Sequence, residues 1–200
     1  MNERSISEQF NHLVNIFQSK KFLECQILCN DVPFFIAEYK ISDETDVCKM
    51  RSQLIKKLKE SNITVLDINI YDLSIEYLKE TGDWDWYIKN EQSISKKQLK
   101  EDLQSILDIK EVIMPRIKHM VDNTDFDLLF IDGIGEVFPY IRSHSLLSNL
   151  QNIVSRKPLV MFYPGSYQQT ATTGSSFKLF DICDDGQEYK AANIYEIQGV

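Results

Sequence analysis

Asp127-Leu128-Leu129-Phe130-Ile131-Asp132 is a short apolar run with an aspartate at each end, and Gly133-Ile134-Gly135-Glu136 follows it directly. A continuous apolar run bounded by turn formers describes a strand buried on both faces. The same unit recurs outward along the chain. Residues 32–37 (Val-Pro-Phe-Phe-Ile-Ala) are a second such run, and residues 63–70 a third, rich in β-branched side chains. Residues 157–163 are a fourth, closed by Pro164-Gly165. Helical spacing fills the gaps: Val47, Met50, Leu54, Ile55 and Leu58 mark one apolar stripe, and Leu146, Leu147, Leu150, Ile153 and Val154 another. Alternating strand and helix predicts one α/β domain over residues 1–200. Its sheet is mostly parallel and flanked by helices on both faces, in a Rossmann-like or P-loop-NTPase-like shape.

The remaining segments fit around that frame. Ser5 with Glu8 has capping-box spacing ahead of Phe10, Leu13, Val14 and Phe17, which predicts a helix over 6–20. Asp72 is placed to cap a short helix after the second strand. Residues 81–123 read as mostly helical, with caps at Ser95 and Asp108 and Pro115 kinking a helix or opening it. Residues 168–176 (Gln-Gln-Thr-Ala-Thr-Thr-Gly-Ser-Ser) read as a mobile surface loop. The tail over 177–197 reads as two strands joined at Asp184-Asp185-Gly186.

Composition narrows the function. The 200 residues are 43% hydrophobic and 26% charged, an ordinary globular balance. Net charge is 22 − 30 = −8. That argues against a general nucleic-acid binder, which needs a basic face to displace counterions. Cys25, Cys29, Cys48 and Cys183 complete no zinc set with the scattered His12, His119 and His144, so they read as reduced packing or surface residues. No apolar run is long enough for a membrane span, and no signal core opens the chain. A cytoplasmic location without membrane contact is expected.

Parallel sheets bind ligands at the carboxyl ends of their strands. Here those ends carry Glu38-Tyr39-Lys40, Tyr71-Asp72, Asp132–Glu136 and Tyr163–Tyr167. A strand ending in Asp132 looks like the magnesium-holding strand of nucleotide hydrolases. Its partner motif is missing, because a phosphate loop needs several glycines after the first strand and the first glycine here is Gly82. Phe138 stands where a Gly133-x-Gly135 dinucleotide fingerprint needs a small residue. Ser143-His144-Ser145 offers a nucleophile and a base, but adjacent helix positions do not face each other. Helix capping by Ser143 or Ser145 is the plainer reading. Asp132 and Glu136, with Asp72 or Glu38, offer carboxylates for a metal; the plainer reading is that Asp132 satisfies backbone N–H groups in the glycine turn. Arg142 holds an anion or pairs with Glu136. Trp84, Trp86 and Tyr87 anchor a helix to the core or form an interface. No catalytic residue, metal or cofactor is assigned.

The segment Gly133-Ile-Gly135-Glu136-Val-Phe138-Pro139-Tyr140-Ile-Arg142-Ser-His144-Ser-Leu-Leu-Ser-Asn-Leu-Gln151 resembles the BrxB family of BREX phage-defence systems. Residues 30–36, 66–73, 103–107 and 158–167 agree with it in order and spacing. The tail departs: Asp184-Asp185 is separated from Tyr189-Lys190-Ala191, and Lys190 stands where the family has Arg. The resemblance implies a non-enzymatic assembly component. Its expected partners are a PglZ-like, phosphatase-domain protein first, then the BREX methyltransferase and ATPase, with DNA contact only inside the larger complex. The candidate contact surface is Asp132, Gly133, Gly135, Glu136, Phe138, Pro139, Tyr140, Arg142 and His144, or the patch of Trp84, Trp86 and Tyr87. A degenerate nucleotide- or phosphate-binding domain and a metal-dependent nuclease are the alternatives.

Overall fold

The computed structural model describes residues 4–27, 33–154, 156–170, 174–187 and 191–198. Helix α1 (Ile6–Phe17) starts at Ser5, where Ser5 and Glu8 form the reciprocal capping box, and a short α2 (Lys20–Leu23) follows. Next come β1 (Phe34–Tyr39), α3 (Glu44–Glu60), β2 (Val65–Asn69), α4 (Ile70–Thr81), α5 (Asp83–Asn90) and α6 (Lys96–Ile106). A π-helical stretch, Ile109–Ile113, capped by Asp108, leads into α7 (Met114–Asn123). Pro115 sits in the first turn of α7, where its missing N–H is no loss. The order closes with β3 (Leu128–Asp132), α8 (Ile134–Val137), α9 (Ser143–Leu150), β4 (Leu159–Thr170), β5 (Gly174–Leu179), β6 (Cys183–Gln187) and β7 (Ala192–Asn193).

Five strands form a parallel sheet in the order β2-β3-β4-β1-β7. Every residue of β1 and β3 is buried, as their unbroken apolar runs predict. The period of two sorts their side chains between two cores. Phe35, Ala37, Leu128, Phe130, Val160 and Phe162 face α1, α2 and α3. Phe34, Ile36, Leu129, Ile131, Leu159 and Met161 face α4, α7, α8 and α9. The strand order is not the 3-2-1-4-5-6 of dinucleotide-binding domains. Among the described residues no helix is long and apolar enough to cross a membrane.

Three expectations need correction. First, Pro164-Gly165 does not close β4. Pro164 ends the parallel pairing with β1, and from Gly165 onward the strand pairs antiparallel with β5. Proline has no N–H for the ladder. Gly165 (φ +150) is required because a Cβ there would lie 2.1 Å from the Lys178 carbonyl oxygen. The loop expected over 168–176 is therefore largely strand; residues 171–173 lie outside the described residues.

Second, the tail hairpin turns at Phe180–Ile182, with Leu179 opposite Cys183, and Asp184 to Gly186 lie within β6. Phe180 (φ 55) and Asp181 (φ 63) take left-handed backbone there without glycine. Burial of Phe177 and Leu179, with Phe177 packed on Tyr163 and Tyr167, fixes the register and outweighs the better turn formers downstream. Third, Asn69 and not Asp72 caps α4, accepting the Asp72 backbone N–H at 3.0 Å. Val32, Cys29, Tyr189 and Lys190, which the sequence reading also used, lie outside the described residues.

Candidate functional site

At the carboxyl end of the sheet, alternation turns Asp67 of β2 and Asp132 of β3 toward α3. Asp67 is level with Phe130, so Asp132 is its diagonal neighbour. Arg51 of α3 reaches over both. One guanidinium nitrogen lies 2.5 Å from Asp67 Oδ1 and the other 3.0 Å from Asp132 Oδ2. The Arg51 and Asp132 side chains are nearly buried, whereas that of Asp67 is 33% exposed. Burial pushes the Asp67 carboxyl above its usual range despite the pull of Arg51. Arg51 Nε is buried without a hydrogen-bond partner among the described residues.

Asp132 is thus the anchor of an ion pair rather than the acceptor in the glycine turn that its sequence context suggested. The turn itself belongs to Gly133 (φ +80), where a Cβ would lie 2.3 Å from Asn69 Oδ1. Sequence reasoning missed Arg51. The signal was present, because position 51 falls on the Val47–Leu54–Leu58 stripe of α3 at helical spacing, and a charge on a buried stripe asks for a partner.

Nearby carboxylates do not converge. Glu38 is buried and accepts the Tyr167 backbone N–H at 2.9 Å, a structural role. Among the described residues no three His, Cys, Asp or Glu side chains are grouped to hold a metal. Tyr39 and Cys48, both beside Asp132, have their pKa values raised, first by burial and then by that negative charge. Neither is poised as an acid or a nucleophile at neutral pH.

The segment after β3 splits between three surroundings. Gly135 packs on Phe180 and Pro164. Arg142 does not pair with Glu136; Nη1 donates to the Asp184 carbonyl oxygen at 3.2 Å and the guanidinium lies 5.4 Å from the Phe138 ring centroid. Ser143 is fully buried and α9 has no side-chain cap, so the capping role read for Ser143 or Ser145 is absent. His144 Nε2 does meet the Ser145 hydroxyl, at 3.1 Å, in spite of their adjacency.

The third surrounding is a groove of about 360 Å³. Glu136, Val137 and Tyr140 form one wall, Tyr71 to Leu78 of α4 the floor, and Trp84, Tyr87 and Ile88 of α5 another wall. Leu99 and Leu103 of α6 complete it, and Gln104 Nε2 ties α6 to the Pro139 carbonyl oxygen at 3.0 Å. Both halves of the sequence-predicted surface therefore meet here through Trp84, Tyr87, Glu136 and Tyr140. Trp86 stays 51% exposed, edge-on to Tyr87 with ring centroids 5.0 Å apart. Glu136 is exposed at the groove mouth. Its carboxyl is raised above the usual range by partial burial and by Asp132, Glu44 and Asp72 around it. The arrangement offers apolar contact area with an acidic edge and no aligned nucleophile, base or metal ligands.

Comparison with known proteins agrees with the segment-level resemblance. The family model "BREX protein BrxB" matches residues 66–194. A BREX protein BrxB from Bacillus cereus (strain H3081.97) is 28% identical over 195 residues, covering 96% of this chain and 99% of that one. Another, from Escherichia coli O9:H4 (strain HS), is 28% identical over 168 residues, covering 84% of this chain and 80% of that one. No solved structure matches the chain.

Proposed function

The chain belongs to the BrxB family of BREX phage-defence proteins, and from that membership we propose that it is a non-enzymatic adaptor whose first partner is the PglZ-like protein of the same system. The groove shared by Trp84, Tyr87, Glu136 and Tyr140 carries this reading, because half-exposed apolar side chains of α4, α5 and α6 stay open there together. Apolar area left half-exposed and rimmed by polar groups marks an interaction site. Against the catalytic alternatives stands the engagement of Asp132, the carboxylate on which a metal site would centre, with Arg51, which also holds Asp67. A guanidinium already paired with Asp67 and Asp132 competes with any divalent cation for the same oxygens.

The test is co-expression of the tagged chain with its operon. The PglZ-like protein should be retained through purification. Recovery of both proteins folded but eluting separately contradicts that pairing.

A nucleotide-binding domain that has lost its phosphate loop is the second reading. It draws on the sheet: Asp132 ends β3, a strand buried on both faces, as the magnesium-holding aspartate does in nucleotide hydrolases. A nucleotide at 100 times its Kd raises stability by about 2.7 kcal/mol. The adaptor reading expects no thermal shift with ATP or GTP and Mg²⁺, and no metal-dependent cleavage of DNA; a shift would favour the second reading.

A further inference from the structure

Helices α5 and α6 follow one another without a single buried residue. A helix of a folded protein ordinarily hides one apolar stripe. Theirs are only partly covered, Trp84, Leu103 and Ile106 resting half-buried on the core, and Ile88 remains 62% exposed.

The groove they leave has length. On α4 it is lined by Tyr71, Ile75 and Leu78, spaced i, i+4, i+7; on α6 by Leu99 and Leu103, with Leu107 just beyond the helix end. Seven or eight helical residues rise about 10–12 Å, two full turns. Two stripes of that length match the i, i+3/i+4, i+7 anchors of a helix laid against them.

The charged lining is acidic. The charged side chains lining the groove are Glu91 and Glu136, and the first turn of α5 adds Asp83 and Asp85. The lysines of the flanking helices are not among the lining residues: Lys79 lies over the Trp84 ring, 5.6 Å from its centroid, Lys89 lies in the last turn of α5 and Lys96 opens α6. An acidic rim repels phosphates and anionic membrane surfaces and attracts Lys and Arg.

We propose that this groove receives an amphipathic helix of a protein partner, whose bulky apolar face enters between α4 and α6 and whose Lys or Arg pairs with Glu136. The inference rests on the adaptor reading and supplies the chemistry of its contact. Glu136, whose carboxyl already feels the charges of Asp132, Glu44 and Asp72, gains from a cation brought to it.

The test uses the full chain in a Trp86→Phe background, so that Trp84 fluorescence reports the groove. Two helical peptides of about 15 residues share one leucine face; one flanks it with Lys, the other with Glu. The Lys peptide should give a saturable blue shift. The Glu peptide should bind about tenfold more weakly, equivalent to about 1.4 kcal/mol. Glu136→Gln should narrow that difference. Leu103→Asp should abolish the response, and so should Ile88→Asp at an exposed position that leaves the fold intact. Equal titration by both peptides, or no response to either, overturns the proposal. Self-association that Ile88→Asp abolishes also overturns it, by naming a second copy as the occupant. Retention of the PglZ-like protein by Ile88→Asp sinks the groove as the seat but leaves the adaptor role. Loss of all operon association with peptide binding intact does the reverse.

Discussion

Arg51 holds Asp67 and Asp132 together with the two ends of one guanidinium. Its removal leaves two carboxylates facing each other in a nearly closed corner, and breaking such a pair from one side costs about 3–5 kcal/mol. Partial exposure of Asp67 puts Arg51→Met near the lower end of that range, about 3 kcal/mol in urea unfolding, with part of the loss recovered by adding Asp132→Asn. An unchanged midpoint would mean that the bridge contributes nothing. Glu136 makes a separate prediction. Its carboxyl lies above the ordinary 4.5 in the folded protein, so the folded state keeps that proton to higher pH than the unfolded chain. The resulting contribution is present below the unfolded value and lost as pH rises through the folded one. Glu136→Gln never ionises and should therefore gain on the wild type as pH goes from about 4 to about 7, read as a widening gap between urea midpoints. A gap that stays constant contradicts the shift. Asp132 was legible as a strand end but not as half of an ion pair: Arg51 on the α3 stripe asks for a partner, yet nothing local says that it is a carboxylate 81 positions later.

At the scale of elements, the parallel strands and the capped helices could be read directly. The apolar runs fixed β1 to β3, and the Ser5–Glu8, Ser95 and Asp108 caps sit where their spacing predicts. Long-range pairing escaped that reading. Nothing local to Pro164-Gly165 says that the strand changes partner there, because the cause is the close approach of Lys178 from β5. The hairpin turn moved for the same kind of reason, with core burial overriding a better turn sequence. The tail is pinned back by Tyr167: its hydroxyl donates to the Ala191 carbonyl oxygen at 2.7 Å and accepts the Ala191 N–H at 3.1 Å, all buried. Tyr167→Phe strands two buried backbone groups and should cost about 1–3 kcal/mol. Faster amide exchange at Ala191 and β7 should accompany it; unchanged exchange there would show that other contacts hold the tail.

For the whole molecule, the acidic balance and the missing phosphate loop favour contact over catalysis, and the chain belongs to the BrxB family of BREX phage-defence proteins. The proposed surface is where the fold brings Trp84 and Tyr87 together with Glu136, Val137 and Tyr140, about fifty positions apart, onto one groove beside two helices with no buried residue. That convergence depends on tertiary packing, which no single segment encodes. Hydrogen–deuterium exchange on the chain, free and mixed with the PglZ-like protein of its operon, tests the account most directly. The account predicts new protection concentrated on α4, α5, α6 and residues 136–140. Protection confined to other elements, or none while both proteins are folded, would contradict it.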